Sequence, residues 1–214
     1  MPNLNLAHLV FLLDRSGSME TIKSDIEGGF AAFIDEQTAA DGECVVTLAQ
    51  FDTHFEVVYA GMPVLEVPPL DLQPRGGTAL LDAMGRLITD TRTEIASQPE
   101  EQRPGTVIIA IMTDGHENSS REWSYPAIKS LVEQQTASQD WQFMYMGADQ
   151  DAIEVGASLG VSRAHSVTYG KGKSRSAMAA ASANIRDYRR EKMLNLEAAM
   201  PVFSDVQRAE LAED

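Results

Sequence analysis

Short apolar runs alternate with helical stripes along this chain, and Gly, Pro and Ser mark where each gives way. Residues 9–13 form an apolar run stopped by Asp14 and followed by a Ser/Gly turn, which predicts a buried strand. Ile22, Ile26, Phe30 and Phe33 then recur at steps of four, four and three, the spacing of one helix face. Residues 43–51 and 54–60 read as strands with only Asp52 and Thr53 between them, a tight antiparallel hairpin. Pro63, Pro68, Pro69 and Pro74 deny the next segment a helix or a central strand. After Arg75-Gly76-Gly77-Thr78, residues 79–95 carry a broad apolar helix face.

Residues 106–113 are the most apolar run and predict a central parallel strand buried on both faces, ended by Asp114-Gly115. Pro126 suits the first turn of a helix reaching about residue 137. A strand over 141–147, a short helix capped by Asp149 and reaching Leu159, and a weak strand over 163–169 follow. A helix over 174–199 carries Met178, Ala181, Ile185 and Tyr188 in a stripe and stops at Pro201; Ser204 with Gln207 caps a last short helix. This alternation predicts a Rossmann-like, doubly wound α/β fold: a mostly parallel sheet with one antiparallel edge strand and helices on both faces.

Length and charge narrow the picture. With 214 residues, the chain divides into a domain over 1–170 and a C-terminal helical extension over 171–214, packing on it or projecting from it. A formal net charge of −15 argues against nucleic acid as a partner, because phosphate binding needs a dense Lys/Arg surface. The single cysteine, Cys44, lies in an apolar run and reads as a buried hydrophobe in a reducing compartment. No apolar stretch approaches the roughly 20 residues of a membrane span, and the N-terminus lacks the features of a secretory signal. No membrane partner is expected, and the cytoplasm is the expected location.

Three motifs share the carboxyl edge of such a sheet, where ligands bind in open α/β folds. They are Asp14-Arg15-Ser16-Gly17-Ser18, Gly76-Gly77-Thr78 and Asp114-Gly115. Together they offer two carboxylates and three hydroxyls. Two carboxylates this close would drive one to bind a proton, a conflict that a divalent cation removes. An all-oxygen set suits Mg²⁺ or Mn²⁺, and no Cys or His cluster supports zinc. Mg²⁺ takes about six oxygens, so five side chains leave a vertex for an incoming carboxylate.

These motifs resemble the metal-ion-dependent adhesion site of von Willebrand factor type A domains: D-x-S-x-S after the first strand, G-G-T at a helix start, and T/S-D-G after a central strand. The likeness covers roughly residues 6–170, and all five positions match. It implies a metal held by Asp14, Ser16 and Ser18 directly or through water, with Thr78 and Asp114 filling further positions. It also implies that the metal accepts an acidic side chain of a protein ligand, and that a C-terminal helix moves on occupancy in adhesion members. Intracellular relatives, bacterial or phage-type, serve as adaptors or chaperone-like subunits, several beside AAA+ ATPases; this chain has no G-x-x-x-x-G-K-[ST] of its own.

Plainer roles stand beside these. Asp14, Ser18 and Thr78 could be ordinary helix caps, Asp52 a turn residue, and Asp82 a second acceptor or a surface group. Arg15, His116 and Glu117 are candidates for a partner-contacting rim. His8, His54 and His165 fall at predicted strand ends with no special task, and Met112, Met144 and Met146 read as core filler. The basic residues between Lys171 and Lys192 read as a solvated helix face pairing with acids of the domain, with an acidic or phosphate-bearing partner as the competing use. No catalytic residue is assigned and an enzyme is not expected. A phosphatase-like hydrolase using Asp14 and Asp114 is the alternative, but its aspartyl type needs a second Asp where Ser16 stands. A structural subunit with a purely structural metal is the third possibility.

Overall fold

The computed structural model describes residues 1–148 and 151–212. One six-stranded sheet runs in the order β3-β2-β1-β4-β5-β6. Its strands are β1 (Asn3–Asp14), β2 (Glu43–Phe51), β3 (Phe55–Pro63), β4 (Pro104–Thr113), β5 (Gln142–Ala148) and β6 (Ser166–Tyr169). All pairs are parallel except β2–β3, which puts the antiparallel strand at one edge. The helices are α1 (Lys23–Ala39), α2 (Leu80–Ser97), α3 (Tyr125–Gln139), α4 (Ala152–Ser158), α5 (Ser174–Leu194) and α6 (Asp205–Ala212). The predicted Rossmann-like fold class is the observed one.

Strand alternation feeds two apolar layers. Leu9, Phe11 and Leu13 of β1 join the cluster containing Phe30 of α1 and Met178 and Ile185 of α5. Val10 and Leu12 join the opposite cluster with Leu80 and Leu87 of α2 and Ile128 of α3. Burying each such side chain contributes about 1.5–3 kcal/mol. Phe11 meets the rings of Phe30 and Phe33 edge-on, with centroids 5.2 and 4.7 Å apart. The helices α1 and α5 approach closely because α1 carries Gly28 and Gly29: a Cβ on Gly29 would lie 3.0 Å from Met178 Sδ.

The tail of the chain covers one sheet edge. Gly170 N donates to Leu211 O, and the Arg208 guanidinium donates to the carbonyls of Arg163, Ala164 and Ser166. The edge strand β3 keeps Val57 and Val58 exposed. No helix among the described residues is long and apolar enough to cross a membrane.

Several expected boundaries change: the last strand begins at Ser166, after a 3-10 turn at Arg163–His165, and the hairpin's second strand runs on to Pro63. Strand β1 begins at Asn3, so His8 is an interior residue, buried and hydrogen-bonded to Thr47 Oγ1 at 2.8 Å, and not a strand-end group. The long helix ends at Leu194, before Pro201. Asn195 is extended, its side chain accepts from Glu197 N, and Lys192 Nζ reaches Leu196 O and Asp140, so a local turn stops the helix. Asp149, the expected cap of α4, lies outside the described residues; Asp151 accepts from Glu154 N at that helix start. Ser204 and Gln207 form a reciprocal capping box at α6.

The basic stretch is engaged within the fold. Arg186 pairs with Glu36. The buried Arg189 donates to the carbonyls of Gln37, Asp41 and Gly42, closing the end of α1. The side chain of Lys171 lies outside the described part.

Candidate metal centre

Register brings the acids to one place. β1 lies between β2 and β4, and Leu13 sits opposite Met112, so Asp14 ends β1 beside Thr113. This is the point where the strand order switches direction, the crevice in which open α/β sheets bind ligands. Thr113 Oγ1 donates to Asp14 Oδ2 at 2.5 Å and Ser16 N to Asp14 Oδ1 at 2.6 Å. Ser18 Oγ donates to Asp114 Oδ1 at 2.6 Å and lies 3.0 Å from Ser16 Oγ.

The three motif loops are tied to one another by backbone. Gly17 N donates to Gly76 O at 3.2 Å, and Gly76 adopts a φ of 68°, a conformation open to glycine. Thr78 N donates to Asn118 Oδ1 and Asn118 N returns a bond to Thr78 O, each 3.0 Å. Gly115 leaves the centre open. A Cβ there would lie 2.8 Å from Thr78 Oγ1 and 3.6 Å from both Asp14 Oδ2 and Ser16 Oγ. Asp14, Ser16 and Thr78 thus converge on one small space, with Ser18 and Asp114 hydrogen-bonded at its side.

The electrostatics of this space disfavour bare charge. Asp14 is 0% exposed. Burial pushes its carboxyl up to about 6, with the Asp114 charge adding to that, while bonds from Thr113 and Ser16 pull the other way. A divalent cation answers such a need, and the donors present, all oxygen, fit a hard one. Among the described residues no three His, Cys, Asp or Glu side chains assemble as a metal site. A metal here would therefore rest on hydroxyls beside two carboxylates.

Helix capping does not occupy these groups. Neither the 3-10 turn at Gly17–Thr21 nor α1 has a side-chain cap. The start of α2 is served by another loop: Glu117 accepts from Leu81 N and Ser120 Oγ from Asp82 N. Asp82 returns the favour, accepting from Arg121, Glu122 and Trp123 N–H groups. Glu117 is therefore a latch between loop and helix, not a rim group. Arg15 is also turned inward, donating to Asp52 and Glu56. Of the three rim candidates, His116 alone is exposed.

Asp52, expected as a turn residue, is the centre of the frame. It is 1% exposed. Its Oδ2 accepts from Arg15 Nε and Arg75 Nε, both at 2.9 Å, and its Oδ1 from His54 N at 2.7 Å. Its carbonyl accepts from Ala79 N, next to Thr78. Although burial opposes it, bonds from Arg75, His54 N and Arg15 hold this carboxyl down at about 2. The first motif loop, the hairpin turn and the Thr78 loop all hang on this one side chain. The pair of arginines, one inside D-x-S-x-S and one before G-G-T, was the available signal.

The sequence matches no protein-family model and no curated protein. The fold is similar to solved von Willebrand factor type A domains. The vWF domain of the type V pili tip protein Mfa5 from Porphyromonas gingivalis superposes with a TM-score of 0.59 at 10% identity, over 85% of this chain and 95% of that one. Proximal thread matrix protein 1 (PTMP1) from the mussel byssus gives 0.57 at 12% identity, over 83% and 45%. A von Willebrand factor type A protein from Catenulispora acidiphila gives 0.55 at 16%, over 83% and 42%. A further form of the mussel protein, described with a zinc-occupied MIDAS motif, gives 0.55 at 14%, over 82% and 46%. The match spans less than half of the mussel and Catenulispora chains, and identities this low establish the fold alone.

Proposed function

We propose that this chain is a metal-dependent protein-interaction module, an adaptor or scaffold, in which Asp14, Ser16, Ser18, Thr78 and Asp114 hold Mg²⁺ or Mn²⁺. The proposal rests on one observation, the convergence of Thr78 Oγ1, Asp14 Oδ2 and Ser16 Oγ around the vacant Cβ position of Gly115. When bound, the ion supplies positive charge and an open position for a carboxylate of a partner protein. Asp14, oriented by Thr113 and Ser16 N, provides the buried negative charge. Ser18 links Ser16 to Asp114 and keeps the second carboxylate beside the first. The mussel neighbour described with zinc at its MIDAS motif supports metal binding on this fold, and the oxygen donors here favour a harder ion.

Binding, not turnover, is the assigned activity. Among the described residues no histidine is hydrogen-bonded to Ser16 or Ser18, and Ser16 occupies the place a second aspartate would need in an aspartyl phosphatase. The partner is a protein offering Asp or Glu, with an AAA+ ATPase or another assembly subunit as the kind of protein to look for. Buried Cys44 suits a reducing compartment, and we assign the cytoplasm. The test is capture from source-cell lysate by wild type in Mg²⁺, by wild type in EDTA, and by folded Asp14→Ala. A partner held only in the first supports the proposal; equal retention in all three overturns it.

A further inference from the structure

Arg75 stands out among the charged groups beside the candidate centre. Its backbone N donates to Arg15 O at 2.8 Å, inside the first motif loop, and Gly76 O receives Gly17 N. Its Nε is fixed on Asp52, yet its side chain is 60% exposed. Among the described residues its two terminal nitrogens have no hydrogen-bond partner. An arginine tethered at Nε by a buried carboxylate has lost most of its rotamer freedom, while its outer edge still presents two parallel donors. Arg15, which shares Asp52, is spent on Glu56 and faces inward. Two arginines against Asp52 and Glu56 leave the cluster balanced. What Arg75 offers is therefore a directed fork and not a diffuse field.

We propose that Arg75 is a second anion receptor of the interaction site, and that the preferred partner segment carries two carboxylates close in sequence. One would engage the metal, which makes this inference rest on the function proposed above, and the other would be received by the Arg75 fork. The Asp52 tether keeps receptor and Thr78 loop in one frame, because Asp52 also accepts Ala79 N through its carbonyl. A fork fixed before binding loses little entropy when it is filled, which is how a partly exposed charge gains affinity.

The probes are end-capped peptides in Mg²⁺: Gly-Asp-Gly, and a series with a second Asp separated from the first by zero, one or two glycines. Matched controls carry Asn in place of the second Asp. Affinities are read by NMR titration. At least one diacidic peptide should bind about 5–10-fold tighter than its Asn control. Arg75→Gln, which also takes one donor from Asp52, should abolish that difference, read as the ratio of each diacidic peptide to its own Asn control in the same variant, and Arg75→Lys should restore only part of it. Arg121→Gln, which removes an exposed charge from the loop held by Asp82, should leave it intact. A preference that survives Arg75→Gln, or that Arg121→Gln removes equally, overturns the inference. So does Mg²⁺-dependent binding of all peptides without preference, and then the metal-site proposal stands. Absence of any Mg²⁺-dependent binding overturns both. A melting curve confirms that Arg75→Gln is folded.

Discussion

Asp14 is a buried carboxylate whose neighbours only partly offset its desolvation, and this has a measurable sign. Its folded pKa of about 6 lies above the ordinary 3.8. In metal-free protein its contribution to stability is therefore greatest below pH 4 and lost as pH rises through 6. Asp14→Asn should raise the stability of EDTA-treated protein at pH 7, by about 3 kcal/mol at most, and should remove any stabilisation by Mg²⁺. Urea melts with and without metal check both. His8 has the opposite sense. Burial lowers it from 6.5 to about 4, so stability is full above pH 6.5 and declines as pH falls toward 4. Between pH 7 and 5 the wild type should lose about 2 kcal/mol relative to His8→Leu, a difference that separates His8 from the opposite trend of Asp14. The motif residues were legible because spacing alone carries them. Asp52 and His8 were not, since their roles depend on which strand lies beside them.

At the scale of elements, loops and helix ends are fastened by side chains from distant segments. Removing the charge of Asp52 leaves the buried Arg15 with Glu56 alone and Arg75 without its carboxylate, so Asp52→Asn should cost about 1.5–3 kcal/mol and weaken metal binding together with it. Glu117→Ala should cost about 1–2 kcal/mol, because it strips an acceptor from the start of α2 and from the Ser119 and Ser120 N–H groups. Both are read by chemical denaturation. The apolar runs foretold β2 and β4 and the stripe of α5 nearly to the residue. The end of α5 escaped because Pro201 is a conspicuous stop, whereas the turn at Asn195 rests on polar contacts with no periodic signature. Asp82 and Glu117 were ambiguous for the same reason: their partners lie about 35–40 residues away.

For the whole molecule, the sheet order places β1 against β4, so two motifs about 100 residues apart meet at one crevice. This was legible in outline, because alternating strands and helices leave few topologies and ligands favour that edge. The net charge of −15 acts at longer range. It steers toward a partner that is basic overall around its contacting acids, so association should slow as salt rises, and an on-rate indifferent to ionic strength would count against that picture. The most direct measurement is Mn²⁺ binding followed by electron paramagnetic resonance, with Mg²⁺ as competitor. Wild type should take up Mn²⁺ at one site per chain, displaced by Mg²⁺, and folded Asp14→Ala and Thr78→Ala should lose it. Equal Mn²⁺ uptake by all three proteins, or none by the wild type, would contradict the metal-site proposal.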